Sequence, residues 1–369
     1  MRYPRVKHGH QPFRVTPETV RIGGEIYGLA AEIPDPDGLV WRILRLMDGT
    51  RTVEQLTTAA AAPRPRVEAV LKALLSSPYV EDAEAPIPAE LTGPELRRYS
   101  RNHAYFHFVE RRPGRTGWDA QLRLRDSAVL VVGLGGTGSH AAWALAAAGV
   151  GRLHLVDADL VEPSNLTRQV LYDEADVGRP KAEAARSRLR AVNGAAEITA
   201  ERRRVESRSA LAALLTGFDA LALCADEPRG PDGIRVWASR ACARAGIAWA
   251  GGGYHGPLVT VGVFAPGGPC YECLQAGEAA RRPHDHPIDL GGGGVVATSA
   301  GLSGQLLAHG VISVLTGAGA GPPGYVTGVN LIAPDHNVHV RHPKRTECGF
   351  CGESYLARSS DGSEDGIGH

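Results

Sequence analysis

Short apolar runs punctuated by glycine and charge dominate the middle of the chain. Ala128-Val129-Leu130-Val131-Val132 is apolar and β-branched, with a charge before it and glycine after it, which is the pattern of a buried parallel strand. Residues 139–148, rich in Ala and Leu, predict a helix that stops at Gly149. Leu153-His154-Leu155-Val156 predicts the next strand, residues 182–192 a helix, and residues 197–205 an alternating strand. The order then repeats: a buried strand over 218–224, a helix over 235–245, a strand over 247–250 and an alternating, half-exposed strand over 258–264. Alternating strands and helices predict an α/β domain with a mostly parallel sheet, and the last strand an antiparallel extension of it. A long apolar helix is expected over 296–315.

The first eighty residues have a different rhythm. Residues 1–12 are polar and basic and read as a loose arm. Residues 19–29 give two alternating runs around Gly23-Gly24, a hairpin signal, and three helical patterns follow at 37–47, from Thr52, and at 66–75. This predicts a small α+β domain, winged-helix-like, over 13–84. Ala85-Pro86-Ile87-Pro88 opens a linker taken to run over 85–96. The large domain is expected over 97–352, and a disordered tail over 353–369.

Forty basic and forty acidic side chains balance. No global pull toward nucleic acid or a membrane surface is implied. The stretch Arg202-Arg203-Arg204, flanked by Glu201 and Glu206, reads as a solvated strand edge and not as a nucleic-acid site. No apolar run approaches the roughly 20 residues that span a bilayer, and the first residues lack an apolar signal region, so a cytoplasmic protein is expected. Nearly all the positive charge is arginine, the lysines being Lys7, Lys72, Lys181 and Lys344.

Chemistry enters between the first two strands. Gly133-Leu134-Gly135-Gly136-Thr137-Gly138 is G-x-G-x-x-G in its working context, after a strand and before a helix. Such a loop brings backbone N–H groups and a helix N-terminus to a phosphate. Asp157 ends the second strand about twenty residues on, where an acid commonly meets a ribose hydroxyl. These features predict a Rossmann-like nucleotide site, and by themselves fit a nicotinamide dehydrogenase as well.

The residues that follow narrow the field. Asp157-Ala158-Asp159-Leu160-Val161-Glu162-Pro163-Ser164-Asn165-Leu166-Thr167-Arg168-Gln169, then Gly178-Arg179-Pro180-Lys181, resemble the signature of the ThiF/MoeB-type members of the ubiquitin-activating enzyme superfamily. The resemblance covers roughly residues 97–352. It implies activation of a carboxylate with ATP and Mg2+, with Gly133, Gly135, Gly136 and Gly138 against the nucleotide, and Asp157, Asp159 and Gln169 beside it. It further implies that Asn165, Arg168 and Lys181 neutralise the triphosphate and that Asp226 holds magnesium. Arg101, in Arg98-Tyr99-Ser100-Arg101, would reach the partner's ATP in a homodimer. Asn102 stands where Gln is common, and Glu227-Pro228 follows Asp226 where Asn is usual. The small domain, above all Leu46-Met47-Asp48-Gly49-Thr50-Arg51-Thr52-Val53, resembles PqqD-like peptide-recognition domains, which implies a leader peptide as partner.

Cys270-Tyr271-Glu272-Cys273 and Cys348-Gly349-Phe350-Cys351 have the spacing of two zinc knuckles, and together they complete a four-sulfur site for Zn2+. The superfamily uses such a zinc structurally. No cysteine lies between Cys273 and Cys348, so no acceptor thiol for an acyl group is expected there. Cys224 and Cys242 read as core packing, and His255 as a loop histidine. His284 and His286 fall in a proline-flanked loop, and Gly291-Gly292-Gly293-Gly294 marks a hinge or close approach.

The resemblances point to an adenylyltransferase acting on a ribosomally made peptide, as in the microcin C type of peptide-adenylating enzyme. Three readings stay open beside it: a non-catalytic scaffold presenting a leader peptide to a cyclodehydratase, a sulfur-carrier adenylyltransferase, and the dehydrogenase.

Overall fold

The computed structural model describes residues 1–281, 294–318 and 321–352. The His284–His286 loop, Gly291 to Gly293 and the tail over 353–369 lie outside them. Contacts divide the chain into two compact units, one built from Met1–Arg123 and the other beginning at Leu124.

The smaller unit begins with β1 (Pro4–Val6), and here the expectation of a loose arm fails. β1 pairs antiparallel with β5 (Val80–Asp82), Val6 is buried, and the Lys7 side chain is 1% exposed, donating to the carbonyls of His107 and Glu110. A three-residue strand whose partner lies more than seventy residues away leaves no local trace in sequence. β2 (Phe13–Thr16), β3 (Thr19–Ile22) and β4 (Ala31–Pro34) make an antiparallel sheet in that order. The hairpin expected over 19–29 forms with a longer connection: eight residues join β3 to β4, with the Leu29 and Ala30 amides turned onto the Ile26 carbonyl and the Tyr79 hydroxyl on the Leu29 carbonyl at 2.7 Å.

The three helices are α1 (Leu39–Leu46), α2 (Val53–Ala59) and α3 (Arg64–Leu75). Thr52 and Gln55 form a reciprocal cap at the start of α2. Ile22, Ile43, Leu56, Val67 and Leu71 pack into one apolar core. Within the stretch read as a linker, Thr92 and Glu95 cap a short helix, α4 (Gly93–Arg98). It is followed by α5 (Ser100–Val109) and by α6 (Gly117–Asp126), on which the contact division falls.

The larger unit has an eight-stranded sheet. β6 (Ala128–Val132), α7 (Gly136–Ala148) and β7 (Arg152–Val156) form the first turn of an alternating β/α pattern. α8 (Lys181–Val192), β8 (Glu197–Glu201), α9 (Arg208–Leu214), β9 (Ala220–Leu223), α10 (Ile234–Ala245) and β10 (Ala248–His255) continue it. β8, β7, β6, β9 and β10 are parallel neighbours in that order. β11 (Leu258–Phe264) then turns back antiparallel, α11 (Tyr271–Arg281) and α12 (Ala297–Thr316) follow, and β12 (Tyr325–Asn330) and β13 (Asn337–Arg341) extend the edge. The Rossmann-like sheet with an antiparallel extension is as expected.

β10 runs through Gly251-Gly252-Gly253-Tyr254-His255, so His255 ends a strand and does not sit in a loop. A side chain at Gly252 would meet the Thr260 carbonyl at 2.4 Å, which explains why glycine is tolerated mid-strand here. α12 lies against α7 through small residues: Thr137 and Ser303 share a 2.7 Å hydrogen bond, and a Cβ at Gly304 would stand 2.5 Å from the Thr137 carbonyl.

Candidate functional site

β6, β7 and β9 are adjacent parallel strands, so their C-terminal ends open on one side of the sheet. There Gly133, Gly135, Asp157, Asp159, Lys181 and Asp226 line a single cleft of about 230 Å3. Gly133 takes φ +90°, and a Cβ on it would stand 2.7 Å from the Ala225 amide nitrogen. Gly138 is tighter, its imagined Cβ lying 1.8 Å from the Gly133 carbonyl oxygen. The loop can turn this sharply into α7 only without side chains.

Asp157 organises that loop. Its carboxylate accepts from the amides of Leu134 at 2.6 Å and Asp159 at 2.8 Å. Burial pushes its pKa above the ordinary carboxylate range, against those two hydrogen bonds and the Lys181 charge. The Tyr172 hydroxyl donates to the Leu134 carbonyl at 3.0 Å from the other side, a support the sequence did not reveal. Burial drives the Tyr172 phenol far above its ordinary range, so it stays a donor. Lys181, only 6% exposed, opens α8 with its ammonium 3.1 Å from Asp159. A buried cation aimed at a glycine-loop cleft by a half-exposed acid suits a phosphate-bearing ligand.

Two further cations reach this cleft, and the sequence reading placed them elsewhere. β8 stops at Glu201, so Arg202-Arg203-Arg204 is not a strand edge. Arg203 and Arg204 line the cleft, the Arg203 amide donating to the Asp157 carbonyl at 3.3 Å and Arg204 lying 3.5 Å from Asp159. Their position just past the end of a parallel strand was the available signal.

Asn165, Arg168 and Gln169 do not line the cleft. Asn165 is buried and its side-chain Oδ1 accepts from the Glu162 amide, closing the turn over residues 163–167. Arg168 donates to the Ser164 carbonyl, and its Nε is buried without a partner among the described residues. Gln169 is buried with its Oε1 likewise unpaired, and its amide nitrogen faces Gly135. An unsatisfied buried polar atom on Gln169, whose side chain reaches the glycine loop, fits a ligand that completes it. Gly136 and Gly138 lie in the first turn of α7.

Asp226 follows β9 and is half exposed, with Arg229 paired to its Oδ2. One carboxylate suffices for Mg2+ when phosphate oxygens and water supply the remaining ligands, so the residue fits that ion once Arg229 gives way. Arg101 is exposed on α5 in the smaller unit, and the Asn102 amide nitrogen donates to the buried Gln121 Oε1 at 3.1 Å.

The two C-x-x-C pairs meet. Cys270 and Cys273 flank the start of α11, Cys348 and Cys351 come after β13, and the four sulfurs lie within 4.8 Å of one another. The contacts of 3.8, 3.6 and 3.4 Å approach the ~3.8 Å edge of a tetrahedron with ~2.3 Å metal–sulfur bonds. The donor set therefore fits Zn2+, with four protein ligands leaving no open position. Burial pushes the Cys224 thiol up to about 12, in keeping with a packing role.

Residues 99–350 match the ThiF family. The chain is 36% identical over 274 residues to the Bos taurus adenylyltransferase and sulfurtransferase MOCS3, covering 73% of this chain and 56% of that protein. It thus spans about half the length of that relative. It is 32% identical to the molybdopterin-synthase adenylyltransferase of Escherichia coli, covering 72% of this chain and all of the relative. Among solved structures it resembles E. coli MccB, with a TM-score of 0.77 at 19% identity over 99% of both chains. MccB has also been solved with ATP and with MccA. Among the described residues no helix is long and apolar enough to cross a membrane.

Proposed function

The chain belongs to the ThiF family, and from that premise we propose that it is an ATP-dependent adenylyltransferase activating a carboxylate of a ribosomally made peptide. The cleft carries this reading: glycine loop, Asp157, Lys181 and Asp226 all converge at the end of the parallel strands. ATP would lie against Gly133, Gly135, Gly136 and Gly138. Lys181, with Arg203 and Arg204, would neutralise phosphate charge, and Asp226 would hold Mg2+. The substrate carboxylate oxygen attacks the α-phosphorus and forms the acyl–phosphate bond. The bond from the α-phosphorus to the bridging oxygen breaks, and pyrophosphate leaves with that electron pair. Placement and charge neutralisation supply most of the acceleration, because the protein forms no covalent bond in this step.

The peptide is the finer part of the reading. The family match begins at residue 99, so residues 1–98 of the small unit lie before it, and a likeness extending over nearly all of MccB takes them in. A leader peptide would bind there. In the same reading the zinc is structural, the protein is a cytoplasmic homodimer, and Arg101 acts on the partner's nucleotide. Identity to sulfur-carrier activators favours one other reading, in which a carrier protein is the substrate.

Pyrophosphate–ATP exchange separates them. Purified protein is mixed with short peptides encoded beside its gene, or with carrier proteins ending in Gly-Gly. Exchange stimulated by a peptide alone is the expected result. Exchange stimulated only by a carrier would replace the peptide, and none with either would favour a leader-presenting scaffold.

A further inference from the structure

Asp226 also lines a second cavity, of about 380 Å3, larger than the nucleotide cleft beside it. Tyr254 supplies a second link between the two. Its hydroxyl would lie 2.6 Å from a Cβ on Gly136, so it reaches from the cavity wall to the first turn of α7. Substrate held here therefore adjoins the position of the reacting phosphate.

The walls are polar and their hydrogen-bonding capacity is largely unspent. Arg229 is occupied by Asp226, and each cancels the other's charge. Arg235, half-buried in the first turn of α10, makes no hydrogen bond or ion pair among the described residues. The side chains of Thr260 and Gln275 are also without partners there. While Asp226 keeps Arg229 occupied, one uncompensated guanidinium sets the sign of the cavity; the N-terminal end of a twelve-residue helix adds to it, and so would Arg229 once it left Asp226 to a cation.

We propose that this cavity receives the side chain of the substrate residue being activated, and that Arg235 selects a second carboxylate there. The substrate class is then a peptide whose reacting residue carries two carboxylates, such as a C-terminal glutamate or aspartate. This rests on the adenylation reading. A Gly-Gly terminus would leave the cavity empty and Arg235 without a partner, so the geometry also separates a peptide from a sulfur carrier.

The test uses sulfamoyl-adenosine mimics of the acyl adenylate bearing glutamyl, glutaminyl or glycyl groups, titrated by calorimetry against the full chain and Arg235→Gln. Wild type should bind the glutamyl mimic about tenfold or more tightly than the other two. Arg235→Gln should lose that preference while its ATP affinity, the check on folding, stays unchanged, and Arg235→Lys should restore part of it. Equal affinities in wild type, or a preference that survives Arg235→Gln, overturns the assignment while leaving adenylation standing. Tightest binding of the glycyl mimic does the same and favours the carrier. Failure of the wild-type protein to bind ATP and all three mimics overturns both.

Discussion

Two glycine turns follow short apolar strands in this protein, and they behave differently. The turn at Gly133 is held on every side but the cleft: Asp157 holds the Leu134 amide, Tyr172 holds its carbonyl, and Ala225 abuts Gly133. The turn at Gly23-Gly24 has one close neighbour on its far side, where Leu29 and Tyr79 stand against Gly23, while Gly24 and Gly28 face open space. Tyr27 beyond it is fully exposed and Ile26 more than half so. Similar local sequence gives a fixed turn where distant residues close on it, and a projecting connection where they do not.

Gly138→Ala tests the enclosed turn most severely. A methyl 1.8 Å from a backbone carbonyl cannot be relieved by a rotamer change. ATP affinity should fall more than about a hundredfold, or the larger unit should fail to fold, as read by calorimetry and circular dichroism. Gly24→Ala meets no atom and should cost only the strain of a left-handed alanine, about 1 kcal/mol in thermal unfolding, with ATP affinity unchanged. Comparable losses in both would abolish the distinction.

Within the enclosed region, Lys181→Ala and Asp226→Ala should each lower substrate-dependent pyrophosphate exchange about 10²–10³-fold without lowering the melting temperature by more than a few degrees. Near-normal exchange in both would remove the catalytic reading. Arg204→Ala should cost less, about tenfold at most, since its side chain is 64% exposed.

In the open region the largest single support is Tyr79. Tyr79→Phe deletes the hydrogen bond to Leu29 and should cost about 1 kcal/mol of stability, with faster proteolysis near Tyr27 as the local sign. An unchanged cleavage rate would show that the loop is held by something else.

Acid should act more gently on the same unit. Burial holds His10, His103 and His107 below the ordinary histidine value. The unfolded chain therefore takes up protons below about pH 6.5 that the folded unit refuses, so stability is complete above that pH and declines as pH falls toward the folded values. His140 and His309 are displaced in the same direction in the larger unit. The test is accordingly a difference: the melting temperature of a His103→Gln, His107→Gln variant should fall less between pH 7 and pH 5.5 than that of the natural chain.

What was legible in the sequence follows the same division. β6, the glycine loop, β7 and Asp157 could be read because strand, turn, helix and acid are contiguous and each constrains the next. The cysteine pairs could be read because two sulfurs at knuckle spacing need two more. β1 could not, since its three residues gain meaning only from Val80–Asp82 across the small unit. The β3–β4 hairpin was read with its second arm too early, because Tyr79, which holds the connection at Leu29, lies fifty residues away. Arg203 and Arg204 were assigned to solvent because the strand before them was extended four residues too far. The strand ending in His255 was stopped at residue 250 because the partner strand's close approach, which makes glycine suitable at Gly252, is a tertiary fact.

The four-thiol cluster has a consequence for how the larger unit opens. Cys270 and Cys348 are 78 residues apart, and the span between them contains α12, against which the nucleotide loop's own helix rests. A metal held by the four thiols would fasten both ends at one point, leaving that span no free end from which to fray and putting its opening in the slow, cooperative class of motions. Amide hydrogens of α12 should exchange with solvent at nearly the rate of β6 in zinc-loaded protein, and much sooner in protein treated with a chelator.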